Sequence, residues 1–385
     1  TTNIENVIDN NDFSDNTRYG IYIGESIGSS VTNNTCVGNV QMGIRVNNFH
    51  SGSIVNNTGN ENGVGIYLTS SNDNVVSRNN CSLNTADTGS NHGIWLTSSH
   101  RNTVTNNTCD QNGKSGFYLE YSNDNVLTNN SCSGNPDAGV FLYYADASVL
   151  HNNTLNANGY GIKVDHAYDL VIVENELHEN TNGMELYGAD GSDVIGNNCT
   201  AASLMYYQTY GIFLKYSLSV IVLDNDCNYN YVGILNEDSD DLVISDNNCD
   251  LNYQTGIELR WALGNVVSNN SCTGNSIGMT VIASEGNTIS GNNCSGNVQA
   301  GINFYNGDSP NNVICNNTFS NNGYGMWLEQ LIDSSVSNNT FNGNGKAAIH
   351  MWYSCVSNTI TNNIISNNGY QLEDPYGYGM YSAGM

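Results

Sequence analysis

The chain has 385 residues, with 9 Lys or Arg against 36 Asp or Glu and a formal net charge of −27. Such a chain repels a phosphate backbone, and so few scattered bases cannot build a nucleic-acid patch, so nucleic acid is excluded as a partner. No run of about 18 apolar residues occurs, so no membrane-spanning helix is expected.

It opens on Thr1-Thr2-Asn3 rather than on a basic and apolar leader, which reads as a mature or excised segment. Asn is abnormal at 70 residues, beside 40 Gly and 24 Tyr. Asn competes with the helical backbone for hydrogen bonds, so helix is disfavoured, while 38% apolar content is too high for disorder.

Along the chain the Asn residues are periodic. One slot holds Asn11, Asn34, Asn57, Asn79, Asn107, Asn130, Asn153, Asn175, Asn197, Asn225, Asn247, Asn270, Asn292, Asn317, Asn339 and Asn363, at a mean step of about 23 residues. A second Asn follows five residues later in nearly every repeat, from Asn16 and Asn39 to Asn368. The coil after Cys199 has Ala202 there. Between them come Gly-apolar-x-apolar quartets such as Gly20-Ile21-Tyr22-Ile23 and Gly116-Phe117-Tyr118-Leu119.

Alternation within each short run is the signature of a strand with one buried face. Three such runs per repeat, each bounded by Gly, Asn or Ser, predict one coil of a solenoid. About sixteen coils of 22–28 residues are expected to stack as parallel strands about 4.8 Å apart, giving one domain over 1–385 and a rod of roughly 75 Å. The Asn columns are expected at the corners, in the left-handed conformation, bonding to the Asn one coil above and below.

Nine of the eleven cysteines, from Cys36 to Cys294, fall two residues after the first Asn, where Phe13, Leu155, Leu177, Phe319, Phe341 or Ile365 stand in other coils. Exchange with apolar residues marks an inward slot filled by thiols. Cys315 and Cys355 lie outside it and are candidates for crosslinks to another subunit.

Extra residues at 85–92 and 201–210 should bulge as contact loops, and Gln371 to Tyr378 interrupts an irregular last coil at 371–385. The first and last residues enter and leave mid-coil without a capping helix, and open strand edges favour association.

The middle residue of each quartet points outward and is often large: Tyr22, Tyr67, Trp95, Tyr118 and Phe141, joined in the adjoining turn by Tyr121, Tyr143 and Tyr144. Leu235, Glu258 and Thr280 occupy the same outward position farther on. The aromatic face could stack on sugar rings, be buried against another subunit, or stabilise itself up the column.

Tyr144, Lys163, Asp165 and His166 form the best catalytic constellation: a Tyr acid, a His base and a cation for a uronate carboxylate. The charge of −27 argues against a polyanionic substrate. Lys215, Glu237 and Arg260 could pair as a ladder. Asn236 intrudes into an apolar slot beside Glu237, Asp238, Asp240 and Asp241, which could hold calcium but lack its regular spacing. Eight Asn-Asn-Ser/Thr triplets satisfy the N-glycosylation pattern, which the ladder itself generates.

The repeat, over nearly the whole chain, resembles the right-handed parallel β-helix of NosD-like and carbohydrate-associated proteins, an architecture also plentiful in cell-surface proteins of methanogenic archaea. The resemblance implies an all-β fold. It carries no catalytic motif: Asn-Thr-Asp, Gly-His-Gly and Arg-Ile-Lys are missing, as is Tyr-Gly-x-Asp-Pro-His, and Asp165-His166-Ala167-Tyr168-Asp169 lacks that order. Without such a motif, the expected function is a non-enzymatic, self-associating structural protein of the cell surface, needing no cofactor and partnered by itself or other surface proteins. The alternative is an extracellular protein that binds or modifies polysaccharide.

Overall fold

The structure, a computed structural model, describes residues 3–86, 89–201 and 208–369. Parts of the two expected contact loops, and all of Gln371 to Tyr378, lie outside the described residues. Among those described, every regular element is a β-strand and neighbouring strands run parallel. The chain divides into two compact units, Thr1–Asn198 and Cys199–Met385, each a parallel β-solenoid.

In the first unit one sheet runs from Asn3–Ile4 to Asn182–Tyr187 and a second from Val7–Asp9 to Asp193–Ile195. Register is exact at the repeat: Val104 pairs with Val76 on one side and Leu127 on the other. The third face is held by single bridges such as Thr108↔Ser131, lengthening to a strand pair at Ser131–Ser133 and Thr154–Asn156. The second unit repeats the plan, from Tyr210–Lys215 to Ala347–Tyr353 in one sheet and from Ile221–Leu223 to Thr359–Thr361 in the other.

The Asn ladder is present, with a corrected mechanism. Asn130 Oδ1 accepts both the backbone N–H of Asn107 (2.9 Å) and its side-chain amide (3.1 Å), and Asn130 Nδ2 donates to Val104 O (3.0 Å). From Asn34 to Asn339 the ladder Asn are buried, while Asn11 is exposed and Asn363 half-buried, and the left-handed residue is the one before them: Asn106 (φ 57°), Asn129 (φ 55°), and also Arg78 (φ 55°) and Glu174 (φ 54°). The corner conformation and the ladder are therefore tasks of two adjacent residues. The former turns the chain, and the latter satisfies buried backbone groups that the turn leaves without strand partners.

The second column behaves alike, with Asn135 Nδ2 donating to Cys109 O at 3.0 Å. In the coil after Cys199 its place is filled after all. Gln208 reaches in from beyond the insertion and donates to Cys199 O (2.9 Å) and Asn230 Oδ1 (3.1 Å). A third corner carries a shorter ladder not expected from the sequence, Asn74, Asn102 and Asn125 in the first unit and Asn265, Asn287 and Asn312 in the second.

All nine cysteines of the inward slot are buried with zero exposure, as are Leu155, Leu177, Phe319 and Phe341, whereas Phe13 is half-buried and Ile365 exposed, each lying in the outermost coil of its unit. Burial pushes the Cys81, Cys109, Cys272 and Cys294 thiols well above their ordinary pKa. Quartet glycines make room for this column: a Cβ on Gly116 would lie 2.6 Å from Cys132 Sγ and 2.8 Å from Gly139 O.

Candidate functional site

In the first unit, strand register places Tyr67, Trp95, Tyr118, Phe141 and Lys163 at one outward position on successive coils. Neighbouring ring centroids are 4.6, 5.8 and 5.1 Å apart along Tyr67, Trp95, Tyr118 and Phe141. Cations cover the ends. The Arg45 guanidinium lies 5.5 Å from the Tyr22 ring and 5.7 Å from that of Tyr67, and Lys163 Nζ lies 4.7 Å from that of Phe141. These rings cover one another and are half-buried, whereas Tyr22 is exposed. Burial raises the Tyr118 phenol above its usual pKa.

His92, which the sequence did not single out, backs this column. It is 5% exposed and lies against Trp95 (5.6 Å) and, nearly parallel, Tyr118 (4.9 Å). Burial, and then the charge of Lys114, lower its pKa to about 4. Ser115 links it onward: the Ser115 N–H donates to His92 Nδ1 (3.4 Å) and its hydroxyl to Asp137 Oδ2 (2.9 Å).

A second set of rings stands beside the first at the adjoining corner. Tyr121, Tyr144 and His166 occupy successive left-handed positions (φ 50°, 46° and 53°), which turn their side chains away from the core. Tyr121 and Tyr144 are stacked at 5.5 Å and 14°, Tyr144 and His166 at 5.3 Å and 11°. Tyr143 meets Tyr144 edge-on at 4.7 Å, and its bond to Tyr121 raises its own phenol pKa. Tyr121 is 49% and Tyr144 38% exposed. Asp165 Oδ1 is 2.6 Å from His166 Nδ1.

The expected constellation is thus brought together in part. Tyr144, Asp165 and His166 adjoin, whereas the Lys163 ammonium is taken up by Phe141, the Tyr160 ring (5.1 Å) and Asp137 (3.7 Å).

In the second unit the charge ladder forms. Glu237 accepts Lys215 Nζ at 2.6 Å and Arg260 Nη1 at 3.5 Å, and Arg260 Nε donates to Glu258 at 2.5 Å. The outward positions Leu235, Glu258 and Thr280 are buried rather than exposed. Around the acidic turn Asp240 accepts the Leu263 N–H (2.8 Å), while Asp238 and Asp241 sit at separate left-handed corners. No three or more His, Cys, Asp or Glu among the described residues form a metal-holding group, and Glu237, Asp238, Asp240 and Asp241 are not gathered into one. Asn236 is buried, donating to Ser239 O at 3.1 Å.

Cys315 ends strand Val313–Cys315, and Cys355 follows a strand with its thiol 3.4 Å from Leu328 O; both are part-buried. This unit also holds a cleft of about 380 Å³ walled by Gln299, Asn303, Tyr324, Trp327 and Lys346, with Lys346 Nζ 5.0 Å from the Tyr324 ring.

Solved structures similar to this chain include the periplasmic alginate epimerase AlgG (10% identity over 86% of this chain and 77% of that one, TM-score 0.38). They also include the A-module of the Azotobacter vinelandii mannuronan C-5 epimerase AlgE4 (13%, 94% and 90%, TM-score 0.41) and the Agl-KA catalytic domain (13%, 87% and 62%, TM-score 0.41). At these identities the likeness bears on the fold alone. No match was found among curated proteins. The model of the family described as "Periplasmic copper-binding protein (NosD)" matches residues 1–91, 76–201 and 195–377, and on that coverage the chain belongs to the NosD family.

Proposed function

We propose that this protein binds polysaccharide outside the cytoplasm and that the sugar-binding face is the platform of Tyr121, Tyr144 and His166. The observation that carries the reading is the pair of near-parallel contacts at 5.5 and 5.3 Å on successive coils between the exposed Tyr121 and Tyr144 and the half-buried His166. Tyr121 and His166 cover the faces of Tyr144, so a sugar would lie its C–H groups across the exposed ring edges of the stack, with Asp165 beside them as an acceptor for hydroxyl groups. The periplasmic placement in the family's description supports the location.

A neutral glycan fits better than an acidic one, since a chain at −27 repels polyanions and the nearby Lys163 is occupied by Asp137. Self-association through the aromatic face is less favoured: the column from Tyr67 to Phe141 covers itself, and the platform left open is one narrow strip. Modification of an acidic polysaccharide is the second reading, favoured by the 2.6 Å Asp165–His166 contact with Tyr144 on the imidazole face. Such a set could abstract and return a proton next to a carboxylate.

The family's description names copper. The residues here do not fit it, because no metal-holding group of three or more His, Cys, Asp or Glu exists among the described residues and burial pushes the Cys81, Cys109, Cys272 and Cys294 thiols well above their ordinary pKa. Copper therefore has no part in the proposed function.

Calorimetric titration with neutral and acidic polysaccharides tests the reading, with the Tyr121→Ala/Tyr144→Ala double variant as control. Binding of neutral chains that the double variant loses supports it. Release of unsaturated uronate, absorbing in the ultraviolet, would move the assignment to the second reading, and absence of binding with polymeric rods in solution would replace both.

A further inference from the structure

The ladder alone does not generate the Asn-Asn-Ser/Thr pattern, contrary to the expectation from the sequence, because the corner before the first Asn ladder carries a correlation that the fold does not require. In all eight coils where the residue after the ladder Asn is Ser or Thr, the residue before it is Asn. In the other eight coils that residue is Asn only at Asn10 and Asn362, and is otherwise Arg78, Glu174, Gly196, Asp224, Asp246 or Gly291. The left-handed corner accepts all of these, and the position after the ladder accepts Asp12, Asn80, Glu176 and Ile364. Neither position dictates the other.

Nor does a side-chain hydrogen bond among the described residues couple them: none joins any of the eight Asn to the Ser or Thr two residues on. Their amides turn to other partners, as Asn33 does to Asp9 (2.8 Å) and Asn152 to Asn129 (2.7 Å). The contrast is Asn80-Cys81-Ser82, one position along, where Ser82 Oγ is tied to Asn80 Oδ1 at 2.7 Å and the pairing has a structural use.

We infer that these eight Asn are N-glycosylation acceptors: Asn33, Asn56, Asn106, Asn129 and Asn152 in the first unit, and Asn269, Asn316 and Asn338 in the second. All eight are exposed at left-handed corners (φ 53–58°), and the five in the first unit lie on a different corner from Tyr121 and Tyr144. The hydroxyl two residues on is the feature that an oligosaccharyltransferase reads. The co-reactant is a polyprenyl-phosphate-linked oligosaccharide. The Asn amide nitrogen forms a bond to the anomeric carbon and gives up one proton to the transferase. The bond from that carbon to the phosphate oxygen breaks, and the lipid phosphate leaves with the electron pair. Coils lie about 4.8 Å apart, so sugars on neighbouring acceptors such as Asn106 and Asn129 compete for room, and occupancy is highest at Asn269, which has no acceptor on the adjacent coils.

The test is glycopeptide mass spectrometry, with electron-transfer fragmentation, of the protein isolated from the cells that produce it. Glycan on acceptors of the eight, with Asn10 and Asn362 bare, is the expected result. Those two are internal controls, having the same corner but Asp12 and Ile364 in place of the hydroxyl. Bare Asn at all eight, or equal modification of Asn10 and Asn362, overturns the inference. In the same cells Thr108→Ala should abolish modification at Asn106 and Thr108→Ser should keep it; glycan persisting on Asn106 in Thr108→Ala also overturns it.

Discussion

His166 lies flat against Tyr144, centroids 5.3 Å apart and planes at 11°, while Asp165 holds its Nδ1 at 2.6 Å. One ring is thereby fixed by stacking and by a hydrogen bond while the outer tyrosines stay open to solvent. A sugar meeting this platform finds it already ordered, so little side-chain entropy is lost on binding.

Removing a ring from the platform should weaken binding without unfolding the coil. Tyr121→Ala or Tyr144→Ala should each raise the Kd for a neutral glycan about 2- to 13-fold, the effect of about 0.5–1.5 kcal/mol for an aromatic contact. Tyr144→Phe should retain affinity, since the apolar ring edge rather than the hydroxyl does the work. Titration calorimetry reads the affinity, and an unchanged thermal midpoint shows the loss to be local.

His92 should make the first unit sensitive to mild acid. An unfolded chain's His takes a proton near pH 6.5, whereas His92 resists one until about pH 4. Between those values the unfolded chain binds more protons, so stability is full above about pH 6.5 and falls as pH drops towards 4. The loss is on the order of 3 kcal/mol. Urea midpoints at pH 7 and pH 4.5 should differ more for the native sequence than for His92→Gln. Equal differences would show that carboxylates alone account for the acid response.

The repeat, the parallel stacking and the thiol column were legible because each depends on periodicity and on exchange between Cys, Leu and Phe at one slot. The left-handed corner was misplaced by one residue because paired Asn fill both positions in most coils. Arg78, Glu174 and Asp224 already marked which of the two tolerates variety. Burial of Leu235, Glu258 and Thr280 was out of reach, since alternation says which face a side chain leaves from and nothing of what lies over it. Gln208 escaped because an insertion moved the ladder residue out of phase.

Thiol chemistry should separate the two cysteine classes. Under native conditions a maleimide should reach at most Cys315 and Cys355, with Cys355 slowed because burial raises its pKa. In denaturant all eleven should react. Intact-mass measurement counts the adducts, and rapid native labelling of Cys109 or Cys132 would contradict their complete burial.

The division of labour at the corners makes opposite forecasts for two adjacent residues. Arg78 is exposed and left-handed at φ 55°, a conformation that costs a side chain roughly 1 kcal/mol and glycine nothing, so Arg78→Gly should be neutral or stabilising. Asn79 is 1% exposed, and its Oδ1 accepts the Asn57 backbone N–H at 2.9 Å while its Nδ2 donates to Ile54 O at 2.9 Å. Asn79→Gly leaves that N–H buried without its partner and opens a void, which should cost about 2–4 kcal/mol. If the ladder Asn were itself the corner residue, glycine would be tolerated at 79 and would bring no gain at 78. Denaturant midpoints of the two variants decide between these outcomes.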